Sequence, residues 1–105
     1  MSIFDEREKA FESQYSRDQE LEFKILVRRD KLFGLWAAKV AGLSDESAHT
    51  FALSVIDQEV SKHSVVHKVG QDLIAMGHQI SEKDLNAKLV ELHELAREQV
   101  YKETA

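Results

Sequence analysis

Histidines are the residues of this chain best suited to bind a metal or to transfer protons, and the sequence contains five. His63 and His67 are spaced i, i+4, which would bring them together on one face of a helix. Ser64 is a good helix N-cap, so we expect the helix that holds His67 to begin after His63. No acid accompanies the two histidines in the pattern of a zinc protease. We therefore predict no metal site and no cofactor.

Other catalytic chemistry also lacks the residues that it needs. The sequence has no cysteine, no nucleophile elbow and no glycine-rich phosphate loop. Adjacent carboxylates do occur, at positions 5–6 and 45–46, but both pairs fall at predicted helix starts. The helix dipole favours negative charge there, which explains the pairs without catalysis. We predict that the protein is not an enzyme.

A basic cluster lies in the first third of the chain. Its members are Lys24, Arg28, Arg29 and Lys31. In one interpretation the cluster is a solvated helix face, balanced by acids that include Glu20, Glu22 and Asp30; the i, i+4 spacing of Glu20 and Lys24 favours it. In the other, its last three members contact an acidic partner or a nucleotide phosphate.

The composition indicates one small all-α domain. The 105 residues include no proline and only 4 glycines, and 31% of them are charged. A formal net charge of -5 argues against general nucleic-acid binding. No apolar run reaches the roughly 20 residues that a membrane span requires, and the first residues do not resemble a secretory signal. We expect a cytoplasmic protein that does not insert into a membrane.

Apolar periodicity predicts four helices joined by short turns, which is a small four-helix bundle. The first covers Ile3 to Leu43, and Ser44, Ser64 and Ser81 are the expected N-caps of the other three. A second apolar line begins at Phe23 on the opposite side of the first helix. Its members are Phe23, Val27, Gly34, Ala38 and Ala41. A helix that is apolar on two sides is expected to be buried on two sides.

The start of the first helix carries only a thin apolar stripe. Ile3, Phe4, Phe11 and Tyr15 fall on one side at about 100° per residue. A helix of about 40 residues spans roughly 60 Å, whereas the last helix spans roughly 33 Å, so the remaining helices are too short to cover it. We divide the chain into an arm, residues 1–17, which projects or is disordered, and a bundle, residues 18–105. The stripe predicts insertion into a groove of another protein. In the alternative interpretations the arm folds back onto the bundle or pairs with a second copy of the arm as a coiled coil.

Five stretches of the chain resemble the zeta subunit of alphaproteobacterial F-type ATP synthase. The stretches are Phe4–Glu12, Arg28–Ala38, Phe51–Ile56, Ala87–Leu92 and Ala96–Gln99. Together they span nearly the whole chain in the order and spacing of that family. The resemblance implies a four-helix bundle with an N-terminal inhibitory arm.

The family resemblance also implies a function and its residues. The arm would enter the catalytic head of the synthase between alpha and beta subunits, beside the rotating gamma shaft, and would block rotation in the direction of ATP hydrolysis only. Phe4, Phe11 and Tyr15, with Ile3, would be the apolar anchors. The polar contacts would be Asp5, Glu6, Arg7, Glu8 and Lys9. The free protein is expected to be a monomer, located in the cytoplasm at the inner membrane through the synthase.

One loop departs from the family's pattern, so the resemblance carries over no role for this loop, including weak nucleotide binding. The loop that is often acidic in the family, with proline and glycine, reads Ser61–Lys68 here and contains neither an acid nor a proline. A helical adaptor or homodimer without inhibitory activity would fit the same amphipathic arm. A small nucleotide-sensing bundle would use Arg28, Arg29 and Lys31.

Overall fold

The structure, a computed structural model, describes the backbone of residues 3–104 and the side chains of residues 17–104. Its four helices are α1 (Ile3–Val40), α2 (Asp45–Val60), α3 (Val65–Ala75) and α4 (Glu82–Thr104). The predicted all-α, four-helix fold with a long first helix is confirmed. The helix α1 runs without interruption from the arm into the bundle. None of the described helices is both long enough and apolar enough to cross a membrane.

Serine hydroxyls begin three of the helices, as predicted. The backbone N–H groups of Ser47, His67 and Asp84 donate to the Oγ atoms of Ser44, Ser64 and Ser81 at 3.3, 3.1 and 3.1 Å. Each bond satisfies a donor that the first helical turn would otherwise leave unpaired. Gly42 and Gly77, with φ of 73° and 86°, follow α1 and α3 in the left-handed conformation that ends helices.

The main hydrophobic core joins all four helices around the second half of α1. Phe33 and Leu73 are fully buried at its centre. The other buried members are Ala37, Val55, Val65, Val66, Val69 and Leu85. Burial of these apolar side chains is the main term that stabilises the bundle.

A smaller core joins only α1 and α4. Ile25, Ala96 and Val100 are buried there, with Leu21 and Leu32 packed against them. The helices run antiparallel, so the end of α4 lies beside the middle of α1. On this stretch α1 is covered on one side only. The prediction of burial on two sides is therefore right for Gly34 and Ala38 and wrong for Phe23, which is 54% exposed.

Gly34 allows α1 and α2 to approach closely. A Cβ atom at this position would lie 2.7 Å from the Cα of Ala52 and 3.2 Å from a methyl group of Val55. Carbon atoms normally meet at about 3.5–4.0 Å. The nearest atom belongs to the α2 backbone, so the contact cannot be relieved by a side-chain rotation. The interface between α1 and α2 thus depends on the absence of a side chain here.

Gly34→Ala is expected to destabilise the bundle by about 2 kcal/mol, because the overpacking cost exceeds the gain in helix propensity. Gly70→Ala is the matched control, since both glycines lie inside helices. Its Cβ would meet only the flexible end of Leu85, at 3.2 Å. Urea denaturation measures both variants. Equal stability of the two would contradict the close-packing role of Gly34.

Candidate functional site

The nine residues predicted for the arm site lie in the first part of α1. They are Ile3, Phe4, Asp5, Glu6, Arg7, Glu8, Lys9, Phe11 and Tyr15. Their side chains are outside the described residues, as is the prediction that this segment projects or is disordered. The described side chains begin at Arg17, the last residue of the arm, and the basic cluster follows in the bundle at positions 24–31.

Arg28 connects α1 to the last turns of α4. Its guanidinium nitrogens contact both carboxylate oxygens of Glu103 at 2.8 Å, and one also donates to Gln99 Oε1 at 2.9 Å. The hydrogen bond with Glu103 is the main reason why the pKa of Arg28 is raised and that of Glu103 is lowered. Two-pronged arginine–carboxylate contacts fix geometry well. Arg28 therefore holds the end of α4 against the middle of α1.

Arg29 connects α1 to the end of α2. Its Nε donates to Asp30 Oδ1 at 3.0 Å, and one terminal nitrogen donates to Glu59 Oε1 at 3.2 Å. The Arg29 side chain is only 15% exposed, which makes these contacts stronger than ordinary surface pairs. Together Arg28 and Arg29 tie both neighbouring helices to α1 at one level.

Asp30 is the one buried acid among the described side chains. It is 0% exposed, and its Oδ2 has no hydrogen-bond partner in the described part of the chain. Burial raises the pKa of Asp30 to about 6, and nearby Glu59 adds to the rise, while Arg29 opposes it. The sequence interpretation that counted Asp30 among acids on a solvated face is wrong, because α2 packs over this side of α1.

The other two members of the basic cluster, Lys24 and Lys31, are exposed. Neither forms an ion pair with a side chain that the structure describes. The predicted contact of Arg28, Arg29 and Lys31 with an acidic partner or a nucleotide phosphate stays a prediction. A phosphate at the arginines would have to compete with Glu103 and Glu59, which favours the exposed lysines as external contacts.

An open groove of about 570 Å³ lies between the middle of α1 and the end of α4. Phe23, Val27 and Val100 give it apolar walls, and Lys24 and Lys31 lie at its border. Sequence reasoning did not find this groove, because the residues of α4 that complete it lie 69 or more positions from those of α1. The exposed line of Phe23 and Val27 was its only local signal.

The helix that holds His67 begins after His63, as predicted. His63 lies in the loop after α2, whereas the backbone of His67 belongs to the first turn of α3 and donates to Ser64. Within residues 17–104 no group of three or more metal-ligating side chains comes together.

The chain matches a protein-family model over most of its length. The model is described as ATPase inhibitor subunit zeta, and the match covers residues 1–99. Comparison with curated proteins and with solved structures gives no match. The family match agrees with the resemblance read from the five stretches and with the four-helix fold. The chain belongs to the family of ATPase inhibitor subunit zeta.

Proposed function

We propose that this protein inhibits ATP hydrolysis by the catalytic head of an F-type ATP synthase, and that its arm, residues 1–17, inserts into the head. The observation that carries the proposal is the mismatch between α1 and its neighbours. α2 ends at Val60, next to the Arg29 level, and α4 ends at Thr104, in the groove beside Phe23. α1 has 38 residues, about 57 Å, and its first turns extend beyond both ends.

The mechanism is steric and needs no catalytic group in this protein. The arm lies at an interface between alpha and beta subunits, beside the gamma subunit. Ile3, Phe4, Phe11 and Tyr15 fill apolar pockets, as an amphipathic helix does in a groove. The polar contacts are made by Asp5, Glu6, Arg7, Glu8 and Lys9. The arm blocks rotation in the hydrolysis direction and is displaced when rotation reverses.

The bundle, residues 18–105, holds the arm and presents it. The Arg28–Glu103 and Arg29–Glu59 contacts support this role, because they fix α1 to α4 and to α2 inside the bundle, about 16 Å beyond the last residue of the arm. Because α1 is held firmly in the bundle, the arm that continues it loses less conformational entropy when it binds. The proposal needs no cofactor, nucleic acid or membrane insertion. It places a monomeric protein in the cytoplasm, bound to the synthase at the inner membrane of an alphaproteobacterium.

Membrane vesicles that carry the matching synthase test the one-way property. Added full-length protein is expected to slow ATP hydrolysis and to leave ATP synthesis, driven by a proton gradient, unchanged. Displacement of the arm by forward rotation is the physical reason. Equal slowing of ATP hydrolysis and ATP synthesis would show that the protein blocks rotation in both directions, which contradicts the one-way property.

A further inference from the structure

The α2-facing side of α1 continues beyond the end of α2. Gly34 and Ala38 lie on this side, and Gly34 contacts Ala52 and Val55 of α2. Val27 and Phe23 extend the same line by seven and eleven residues, about 10 and 16 Å from Gly34. Because α2 ends at Val60, next to the Arg29–Glu59 contact, no residue of α2 covers them. We name this uncovered apolar line of Phe23 and Val27 the open seam. The name includes the cations beside the line, which are Arg17, Lys24 and Lys31.

The open seam is apolar at its centre and accessible to a partner. Phe23 is 54% exposed and Val27 is partly exposed. Val60, at the end of α2, is 59% exposed and so presents a further apolar contact. From Arg29 back to Arg17 the part of α1 that α2 leaves uncovered is about 18 Å long, which is the length of a helix of about 12 residues.

Cations flank the open seam at regular spacing. Arg17, Lys24 and Lys31 follow one another at intervals of seven residues, which keeps them on nearly the same side of α1, about 10 Å apart. All three are exposed, and none forms an ion pair with a described side chain. The acids on this side are Glu20, and Glu103, which is paired with Arg28 and also interacts electrostatically with Lys31 at longer range. This row of positive charge belongs to a protein whose formal net charge is -5.

We propose that the open seam binds an acidic amphipathic helix of the ATP synthase head, placed end to end with α2 along α1. The apolar side of that helix covers Phe23 and Val27, and its acids pair with Arg17, Lys24 and Lys31. Charges that flank an apolar seam in this way select partner and orientation in paired helices. A second copy of this chain is disfavoured as the occupant, because it would bring an equal row of cations. The inference rests on the proposed function, since it supplies a second contact with the same partner.

Charge reversal tests the cation row in the full-length protein. The double variant Lys24→Glu/Lys31→Glu is expected to bind the isolated catalytic head about tenfold more weakly than wild type at low ionic strength. The loss should shrink in about 0.5 M salt, where screening suppresses exposed charge pairs. Lys39→Glu/Lys83→Glu changes the net charge equally at exposed lysines away from the seam and from the end of α2, and should bind as wild type does. Equal binding of both double variants would overturn the proposal.

Photo-crosslinking identifies the occupant and does not depend on the stability of a charge variant. Benzoylphenylalanine replaces Phe23 in one protein and Leu53 in its control, two positions that are 54% and 53% exposed. Each protein is irradiated with the isolated head, and crosslinked peptides are sequenced. Position 23 is expected to crosslink to an acidic helical segment of a head subunit, with little product from position 53.

Three other crosslinking results would overturn the proposal. A crosslink from position 23 to a second copy would assign the seam to a homodimer. Equal crosslinking from positions 23 and 53 would show no defined contact. Absence of any crosslink from position 23, while the wild-type protein inhibits hydrolysis, would remove only the seam contact and leave the proposed function intact. A wild-type protein that neither binds the head nor inhibits it would remove both.

Discussion

Deletion of residues 1–16 is expected to abolish inhibition of ATP hydrolysis and to leave the bundle folded. The cores of the described structure begin at Leu21, so the deletion removes no apolar contact that they contain. The Arg28 and Arg29 contacts to α4 and α2 also remain. The measurement is the hydrolysis rate of the isolated head at increasing concentrations of the deleted protein. Circular dichroism and thermal unfolding check that the bundle is retained.

A finer variant tests the same idea without shortening the chain. Phe4→Ala, Phe11→Ala and Tyr15→Ala together remove the apolar anchors, and are expected to raise the concentration needed for half-inhibition at least tenfold. The matched control replaces three exposed apolar residues of the bundle, Leu53, Ile74 and Val90, by alanine. That control should inhibit as the wild type does. Full inhibition by the protein that lacks residues 1–16 would contradict the role of the arm.

The second large effect is a dependence of stability on pH that originates at Asp30. Its pKa is about 6 in the folded protein, against 3.8 for an ordinary aspartate. A raised acid pKa means that the folded state binds the proton more tightly than the unfolded state does. Asp30 therefore favours folding most below about pH 4, and this contribution is lost as pH rises through 6. The free energy of unfolding should increase by about 2–3 kcal/mol from this residue between pH 7 and pH 4.

Asp30→Asn separates this effect from other titrations. The variant cannot ionise at position 30, so the gain in stability on acidification is expected to disappear. Asp57→Asn makes the same chemical change at an exposed position and should keep the pH dependence of the wild type. Urea denaturation at several pH values between 4 and 7 measures all three proteins. Parallel curves for wild type and Asp30→Asn would show that Asp30 does not cause the dependence.

Local signals in the sequence predicted most of the fold. Serine caps at positions 44, 64 and 81 depend on bonds to residues three positions ahead, and all three were found. The second apolar side of α1 was also correct at Gly34 and Ala38, which are buried. Both features follow from helical periodicity and short-range hydrogen bonding, which act within one element.

Contacts between distant parts of the chain could not be predicted in this way. The Arg28–Glu103 pair spans 75 residues, and spacing along α1 carries no information on where α4 ends. Asp30 was assigned to a solvated face for the same reason, since only the position of α2 decides its burial. Phe23 shows the opposite error. It does lie on the predicted apolar line of α1, but α2 ends before it reaches Phe23, so the side chain is exposed and not buried. The arm was inferred from length, and its side-chain contacts remain a prediction.

The rate of ATP hydrolysis by the isolated catalytic head, measured as full-length protein is added, tests the central claim most directly. The head should come from the same organism, and the protein lacking residues 1–16 should be measured beside it at equal concentrations. The account predicts that full-length protein lowers the rate to a saturating minimum while the shortened protein leaves it unchanged. A rate that stays constant up to a large molar excess of full-length protein would contradict it.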